Sequence, residues 1–263
     1  MKTNEKEIKK IVKEGYAKVA KQVISCCPSG SCCSPSGSAR NISKTVGYSD
    51  EDINAVPDGA NLGLGCGNPV AKASLKEGDV ILDLGSGAGF DAFLAAQRVG
   101  ETGRVIGVDM TPEMLEKANK NTKNGGYKNV EFRLGEIEKL PIEDSCIDVI
   151  ISNCVINLSP DKESVFKEAF RVLKPGGRLM VSDLVLVKDL PDAVRKSVEA
   201  YVGCLAGAEI KDDYMRFIEN AGFQDIKIVS QSGYPVDAMV KDEGIKDIAN
   251  SVVSIKIHAV KPR

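Results

Sequence analysis

From Lys76 to about Leu186 the chain alternates short runs of apolar, β-branched residues with stretches of helical periodicity. Helices are predicted to begin near Phe90, Pro112 and Asp161; at the second of these, proline takes the first helical position after a capping threonine. The third helix is predicted to end at "LKPGG", because proline and paired glycines stop helical structure. Alternation of this kind is typical of parallel βαβ units. The expected strands are "DVILDLG", "RVIGVD", "NVEFRLG", "IDVIISN" and "GRLMVSDLVLV".

The segments on either side of this α/β core have different patterns. Near the N-terminus, apolar residues from Ile8 to Val19 follow helical spacing in a lysine-rich stretch, which predicts an amphipathic helix packed on the body. Residues 25–47 are rich in Ser, Gly, Pro and Cys, and this composition predicts a mobile loop. After residue 187, two helical stretches precede the β-rich runs "DIKIVSQSG" and "SVVSIKIHAV". We therefore expect three parts, with the bounds 1–75, 76–187 and 188–263.

Composition and charge narrow the classes of function. The 263 residues suffice for one α/β domain with a modest second lobe, and the net charge of −2 offers no electrostatic reason to expect nucleic acid or membrane as a partner. The N-terminus lacks the apolar stretch of a secretory signal, so we expect a cytoplasmic protein. In that reducing compartment, eight cysteines favour metal, redox or catalytic chemistry over a disulfide scaffold.

A glycine-rich loop follows the first predicted strand. The strand ends in Asp83 and continues into "LGSGAGF", a G-x-G-x-G pattern that differs from the dinucleotide fingerprint in having Phe90 at its last position. Taken alone, this loop is a weak signal, because a tight strand-to-helix turn can have the same glycines. Asp109 ends the second strand, where a carboxylate accepts both hydroxyls of a ribose, although an acid there can also cap a helix. Cofactor groups bind at such carboxyl ends of parallel strands.

The motifs "VILDLGSGAGF", "VIGVDM", "GEIEKLP" and "RVLKPGGRLMVSD" occur in this order within residues 78–187. Together they resemble the class I S-adenosylmethionine-dependent methyltransferases. The resemblance implies a Rossmann-like α/β fold, with a mostly parallel twisted sheet and helices on both faces, plus an N-terminal helix and a small C-terminal lobe. It also implies S-adenosylmethionine as the cofactor. The implied cofactor-binding residues are Asp83 at the amino end, Gly85, Ser86 and Gly87 at the methionine moiety, Asp109 at the ribose, Met110, Glu136 and Ile137 at the adenine, and Asn153.

Three cysteines lie in segments that such a fold brings to one rim of the sheet. Cys154 directly follows the fourth strand, Cys66 lies among glycines in "GANLGLGCGNPV", and Cys204 lies in "YVGCLAGAEIKDDY". Each of them alone is also compatible with a small buried side chain. Three thiolates suit a soft, thiophilic ion, whereas zinc normally takes a fourth ligand, and His258 is not spaced with these cysteines. Trivalent arsenic takes three sulfurs in a pyramid and keeps a nucleophilic lone pair, so it needs no general base.

The segments "NLGLGCGNP", "SNCVINLSPDK" and "GCLAGA" resemble the arsenite S-adenosylmethionine methyltransferases, and the resemblance spans nearly the whole chain. It implies that Cys66, Cys154 and Cys204 bind As(III), supplied as arsenite in a thiol complex, and that the methyl group transfers in line to arsenic. It further implies that residues 1–75 cap the active site and that residues 188–263 complete the substrate site.

The same resemblance implies a redox relay. Cys66 and one N-terminal cysteine form the expected disulfide, which thioredoxin or a similar dithiol reopens. The sequence "CCPSGSCC" offers four candidates, of which Cys32 or Cys33 is the expected partner. One of these pairs can instead be a metal-scavenging or regulatory patch. Cys146 precedes the fourth strand and is interpreted as structural.

Two alternatives remain open at this point. One is a small-molecule C- or O-methyltransferase whose cysteines are incidental. The other is a non-catalytic metalloid-binding or redox-sensing module that uses the cofactor as a ligand. The extent of methylation stays open as well, because mono-, di- and trimethyl products use the same residues. Antimonite is chemically close to arsenite.

Overall fold

The computed structural model describes residues 5–21, 35–195, 197–234 and 251–263. The helices are α1 (Glu5–Lys21), α2 (Pro35–Thr45), α3 (Asp50–Asn54), α4 (Phe90–Val99), α5 (Pro112–Gly125), α6 (Lys162–Val172), α7 (Asp192–Arg195), α8 (Val198–Val202) and α9 (Lys211–Asn220). The strands are β1 (Val80–Leu84), β2 (Arg104–Asp109), β3 (Val130–Leu134), β4 (Ile147–Asn153), β5 (Leu173–Leu186), β6 (Gln224–Gly233) and β7 (Val252–Val260).

The seven strands form one sheet in the order β3-β2-β1-β4-β5-β7-β6. Strands β1 to β5 pair in parallel, while β7 pairs antiparallel with both β5 and β6. The predicted Rossmann-like, mostly parallel fold is confirmed. The C-terminal strands, expected in a small lobe, extend this same sheet. The strand order reverses between β1 and β4, and the carboxyl ends of these strands are where such sheets bind ligands.

The central strands are buried on both faces because helices cover the two sides of the parallel sheet. Ile81, Leu82 and Leu84 of β1 have almost no exposed surface, and Ile81 faces a different core cluster from the other two. The predicted starts of α4, α5 and α6 are confirmed, and the side chain of Asp161 caps α6 by accepting from the Ser164 amide at 3.0 Å.

Two local predictions differ from the structure. Helix α6 ends at Val172, before the "LKPGG" segment, and the chain is already extended at Leu173. The ring of a proline disfavours helical backbone at the residue before it, so Lys174, which precedes Pro175, is extended and belongs to β5. The predicted loop over residues 25–47 is wrong for Pro35–Thr45, which forms α2. Tertiary contacts outweigh its low helix propensity: the buried Ser43 hydroxyl donates to Asn61 Oδ1 at 2.9 Å.

The amphipathic N-terminal helix is confirmed. Helix α1 packs against α5 and α8, with Val12 buried and Ile8 and Tyr16 beside it. Along its edge, Lys9 forms ion pairs with Glu136 at 2.7 Å and Glu138 at 3.2 Å. Among the described residues, no helix combines the length and the apolar character that crossing a membrane demands.

The core on the α6 side of the sheet offers a test of the packing. Phe166 is fully buried and meets Tyr214 edge-on, with ring centroids 5.5 Å apart. We expect Phe166→Ala to lower the free energy of unfolding by about 3–5 kcal/mol, because it leaves a cavity. Leu134→Ala, at a side chain that is largely exposed, should change it by less than about 0.5 kcal/mol. Urea titration measures both values; equal effects would contradict the assignment of the core.

Candidate active site at the carboxyl ends of the strands

A cleft of about 1110 Å³ lies at the carboxyl ends of the central strands, with α1 along one wall. Glu136, expected over the adenine, does not line it, because its exposed side chain turns toward Lys9. Glu138, which sequence reasoning did not single out, lines the cleft instead. The other predicted cofactor positions all line the cleft: Asp83, Gly85, Ser86, Gly87, Asp109, Met110, Ile137 and Asn153.

The glycine loop uses conformations that other residues rarely adopt. Gly85 and Gly87 have φ values of +65° and +52°. A Cβ atom added to Gly85 would lie 2.3 Å from Val155 Cγ2, so this position excludes any side chain. At Gly87 the corresponding space holds no protein atom within 4 Å, which leaves the backbone open to a ligand in the cleft.

The carboxylate of Asp109 is fastened to this loop. One of its oxygens accepts from the amide of Gly87 at 2.9 Å, and the other accepts from the amide of Thr111 at 2.8 Å. Burial nevertheless raises the pKa of Asp109 above its ordinary value. The side chain therefore combines a fixed position at the end of β2 with free lone pairs facing the cleft, as ribose binding requires.

The cleft carries an excess of buried negative groups. Burial, followed by the charges of Asp91 and Asp109, raises the pKa of Asp83 well above its usual range. Asp83 Oδ2 is buried and has no hydrogen-bond partner among the described residues. A cationic ligand with hydrogen-bond donors would offset the repulsion among these carboxylates and would give Asp83 Oδ2 a hydrogen-bond partner. S-adenosylmethionine carries an ammonium and a sulfonium group, so these residues fit that cofactor.

The three predicted thiols lie together beside the cleft. Cys66, Cys154 and Cys204 are 3%, 5% and 3% exposed and belong to one buried cluster. The sulfurs of Cys66 and Cys154 and a carboxylate oxygen of Asp183 all lie within 4.8 Å of one another. The Cys204 thiol lies 2.8 Å from the backbone oxygen of Cys154. All three are free thiols, whereas Cys32 and Cys33 fall outside the described residues.

Two of these cysteines have strained backbones. Cys154 and Cys204 have φ values of +58° and +64°, a left-handed conformation that is uncommon for residues other than glycine. The Cys154 amide donates to the Ser182 backbone oxygen at 2.8 Å, and the Cys66 thiol donates to the same oxygen at 3.5 Å. Strain of this kind persists where surrounding contacts hold it, and it occurs preferentially at functional sites.

Burial also controls the protonation of the thiols. It raises the pKa of Cys66, and it raises the pKa of Cys154 still further, with the neighbouring thiols adding to the effect. Because the desolvated thiolate is disfavoured, both groups hold their protons at neutral pH. If a trivalent ion arrives with hydroxide or thiolate ligands, each departing ligand can take up the proton of the thiol that replaces it. Such an exchange needs no separate base.

Asn153 organises the boundary between the glycine loop and the thiols. Its Oδ1 accepts from the Cys66 amide at 3.0 Å, while its Nδ2 donates to Asp91 Oδ2 at 2.9 Å and to the Gly67 backbone oxygen at 2.8 Å. The Tyr48 hydroxyl lies 2.8 Å from the same nitrogen and donates to Asp91 Oδ1 at 2.7 Å. Burial raises the pKa of Asp91 to about 6. The amide of Asn153 thus holds the Cys66 loop on β4.

Sequence reasoning missed Tyr48, Asp91 and Asp183. Asp183 lies within the motif "RVLKPGGRLMVSD", the one signal that pointed toward it. It is fully buried and accepts from the Leu184 amide and Asn157 Nδ2, each at 2.9 Å, and from the Tyr214 hydroxyl at 3.0 Å. Burial raises its pKa to about 6.

Two other sequence assignments concern groups outside the cleft. Cys146 packs against the core, and its thiol donates to the Glu143 backbone oxygen at 3.1 Å. His258 lies on β7 opposite Met180 and does not line the cleft. At the other end of the site, the Tyr16 hydroxyl of α1 lies 3.9 Å from the Cys204 sulfur.

Comparisons with known proteins agree with this geometry. A model of the methyltransferase domain matches residues 75–222. The arsenite methyltransferase of Halobacterium salinarum is 45% identical over 97% of this chain and 67% of its own. The human arsenite methyltransferase is 41% identical over 57% of this chain, and the match spans only 42% of the human protein.

A solved structure gives the same result. The arsenic(III) S-adenosylmethionine methyltransferase of Chlamydomonas reinhardtii superposes with a TM-score of 0.65 at 37% identity, over 84% of this chain and 73% of the algal one. The fold, the cleft and these relatives agree on methyl transfer from S-adenosylmethionine. The chain belongs to the arsenite methyltransferases, a family of S-adenosylmethionine-dependent methyltransferases.

Proposed function

We propose that this enzyme binds trivalent arsenic through Cys66, Cys154 and Cys204 and methylates it with S-adenosylmethionine. The observation that carries the proposal is the meeting of three thiols from remote parts of the chain in one buried cluster, at the edge of the cleft. Soft thiolates select a soft ion, and the described residues provide no fourth cysteine or histidine at this place that would complete a structural zinc site.

Substrate enters as arsenite in a complex with small thiols. Each cysteine thiol replaces one such ligand, its proton leaves with the displaced thiol, and an As–S bond to the protein forms. The high pKa of Cys66 and Cys154 suits this proton-neutral exchange. Burial of the sulfurs keeps water away from the bound ion, and its lone pair remains free on the open side of the pyramid.

The cofactor supplies a methyl group on a positively charged sulfur. Asp83 and Asp109 hold its charged and hydroxyl groups, and the open backbone at Gly87 lets it approach closely. The arsenic lone pair forms the new C–As bond while the S–C bond breaks, and the electron pair of that bond stays on the donor sulfur. Arsenic passes from the trivalent to the pentavalent state.

A thiolate then returns arsenic to the trivalent state. The thiolate of Cys32 or Cys33 attacks the arsenic-bound sulfur of Cys66; an S–S bond forms, the As–S bond breaks, and its electron pair goes to arsenic. A thioredoxin-type dithiol reduces the resulting disulfide and is itself oxidised. The N-terminal cysteines lie outside the described residues, so the proposal for this step rests on the position of Cys66 beside the cleft and on the family resemblance.

The thiol site is tested by Cys154→Ser, with Cys146→Ser as the matched control. We expect Cys154→Ser to lower arsenite methylation by about 100-fold or more, which corresponds to about 2.7 kcal/mol, because a hydroxyl is a poor ligand for arsenic. Cofactor affinity should stay within about twofold, since Cys154 acts at the substrate half. Labelled methyl transfer and calorimetry measure the two quantities. Unchanged transfer in Cys154→Ser would reject the site, and methylation of another acceptor alone would indicate a C- or O-methyltransferase.

The redox step predicts a specific cross-link. After one turnover with arsenite and no reductant, we expect a disulfide between Cys66 and Cys32 or Cys33, because the two electrons that arsenic regains come from this pair. Peptide mapping by mass spectrometry of alkylated protein identifies it. A protein incubated with cofactor but without arsenite serves as the control. A methylated product formed with all of these thiols still free would contradict the relay.

The acid cluster predicts a pH dependence of cofactor binding. In the free protein the pKa of Asp83 is raised, and a bound cation lowers it, so binding expels a proton below the raised pKa. Affinity should therefore increase as the pH rises through the raised pKa of Asp83 in the free protein. Calorimetry in buffers of different ionisation enthalpy measures both the affinity and the proton release. We expect Asp83→Asn to bind more weakly and to lose the slope; a slope that persists in this variant would assign it to another group.

A further inference from the structure

We infer that the carboxylate of Asp183 stabilises the positive charge that reaches arsenic during methyl transfer. This inference rests on the proposed function, and it adds a residue that acts on the transition state rather than on substrate binding. Asp183 lies within β5 beside the thiol cluster, where it pairs with Ile255 of β7, and it was not among the site residues predicted from the sequence.

The placement of Asp183 is the first argument. One of its carboxylate oxygens lies within 4.8 Å of the sulfurs of both Cys66 and Cys154. The side chain has no exposed surface, and the cysteines around it are themselves buried. An ion held by these sulfurs would therefore have a carboxylate beside it, in surroundings where solvent does not screen charge.

The hydrogen bonds of Asp183 decide how it acts. Oδ1 accepts from the Leu184 amide and from Asn157 Nδ2, and Oδ2 accepts from the Tyr214 hydroxyl. These three donors favour the charged form and hold the group in one orientation. With about three of its four lone-pair sites engaged in this way, the carboxylate has little capacity left to ligate the ion. It is suited to act through its charge, as a fixed group that needs no reorganisation during the reaction.

The flow of charge in the reaction requires such a group. Arsenic bound by three thiolates is neutral as a complex, and the donor sulfur begins with one positive charge. When the C–As bond forms and the S–C bond breaks, the donor becomes a neutral thioether and the methylated arsenic complex becomes a cation. The positive charge thus moves from the cleft toward the thiol cluster, where the nearest carboxylate in the described structure is that of Asp183. An anion at this point therefore stabilises the transition state more than the ground state, which lowers the barrier to methyl transfer.

A nearby cation works against this field. Lys162 is buried, its ammonium donates to the Ser159 backbone oxygen at 3.0 Å, and it lies 3.6 Å from Glu209. Its positive charge lowers the pKa of Asp183 and so favours the charged carboxylate. Removing this cation should leave the carboxylate field less opposed at a pH well above the pKa of Asp183, which Lys162 itself lowers. Asp183 and Lys162 therefore form a pair whose substitutions are expected to act in opposite directions on the same step.

The experiment is a single-turnover measurement of methyl transfer on full-length, reduced protein with arsenite and excess dithiothreitol. We expect Asp183→Asn to slow the transfer step by about 100-fold, a loss typical for removal of one preorganised electrostatic group. Its affinities for arsenite and for S-adenosylmethionine should stay within about threefold of the native values. Tyr214→Phe is the matched control, because it removes one hydrogen bond from the same carboxylate and leaves the charge; we expect at most about a fivefold loss.

The second variant keeps the inference testable if Asp183→Asn does not fold. We expect Lys162→Met, of similar length and without charge, to speed the transfer step by about threefold or more when the assay pH is well above the pKa of Asp183. A transfer rate unchanged by Asp183→Asn, a loss confined to arsenite affinity, or a slower Lys162→Met would overturn the inference. Native protein that binds no arsenite would instead refute the proposed function, so the two failures are distinguishable.

Discussion

The side-chain amide of Asn153 joins two segments that the rest of the active site depends on. Its oxygen holds the amide of Cys66, and its nitrogen holds Gly67 and the carboxylate of Asp91 on the helix that follows the glycine loop. One planar group at the end of β4 therefore holds the glycine-loop half of the cleft and the thiol cluster in a fixed relation. The halves differ in character: acids crowd the first, while apolar side chains surround the second. The acidic half suits a cationic ligand, and the apolar half suits a soft neutral complex.

The parts of the site that were predictable from the sequence are those whose signals are local. The glycine loop, Asp109 and the strand ends occur in short motifs, and the physical need for positive φ or a fixed carboxylate is visible in the residue types themselves. The place of Cys154 followed from topology, because parallel strands present their carboxyl ends at one edge, whereas the assignment of Cys66 and Cys204 to the same site came from the family resemblance. The Cys-rich relay lies outside the described residues and stays a prediction.

The parts that were not predictable depend on contacts between distant segments. Tyr48 and Asp91 meet across 43 positions of the chain, and nothing in either local pattern indicates the pairing. Helix α2 forms despite a composition that favours a loop, since its stability comes from packing rather than propensity. Glu136 lies in the expected segment, yet its side chain turns outward to Lys9, and Glu138 lines the cleft instead. Sequence position alone does not determine which of these two acids faces the cleft.

Helix α1 lies over one wall of the cleft, with Lys9 beside Glu136 and Glu138 at one end and Tyr16 beside Cys204 at the other. Ligands at the two ends of the cleft would therefore lie against the same helix, so a displacement of α1 would affect both of them. The links at its rim are partly exposed ion pairs, which contribute little individually and weaken as dissolved salt rises. High ionic strength is therefore expected to loosen the rim of α1, while the buried contacts of Val12 still hold its centre.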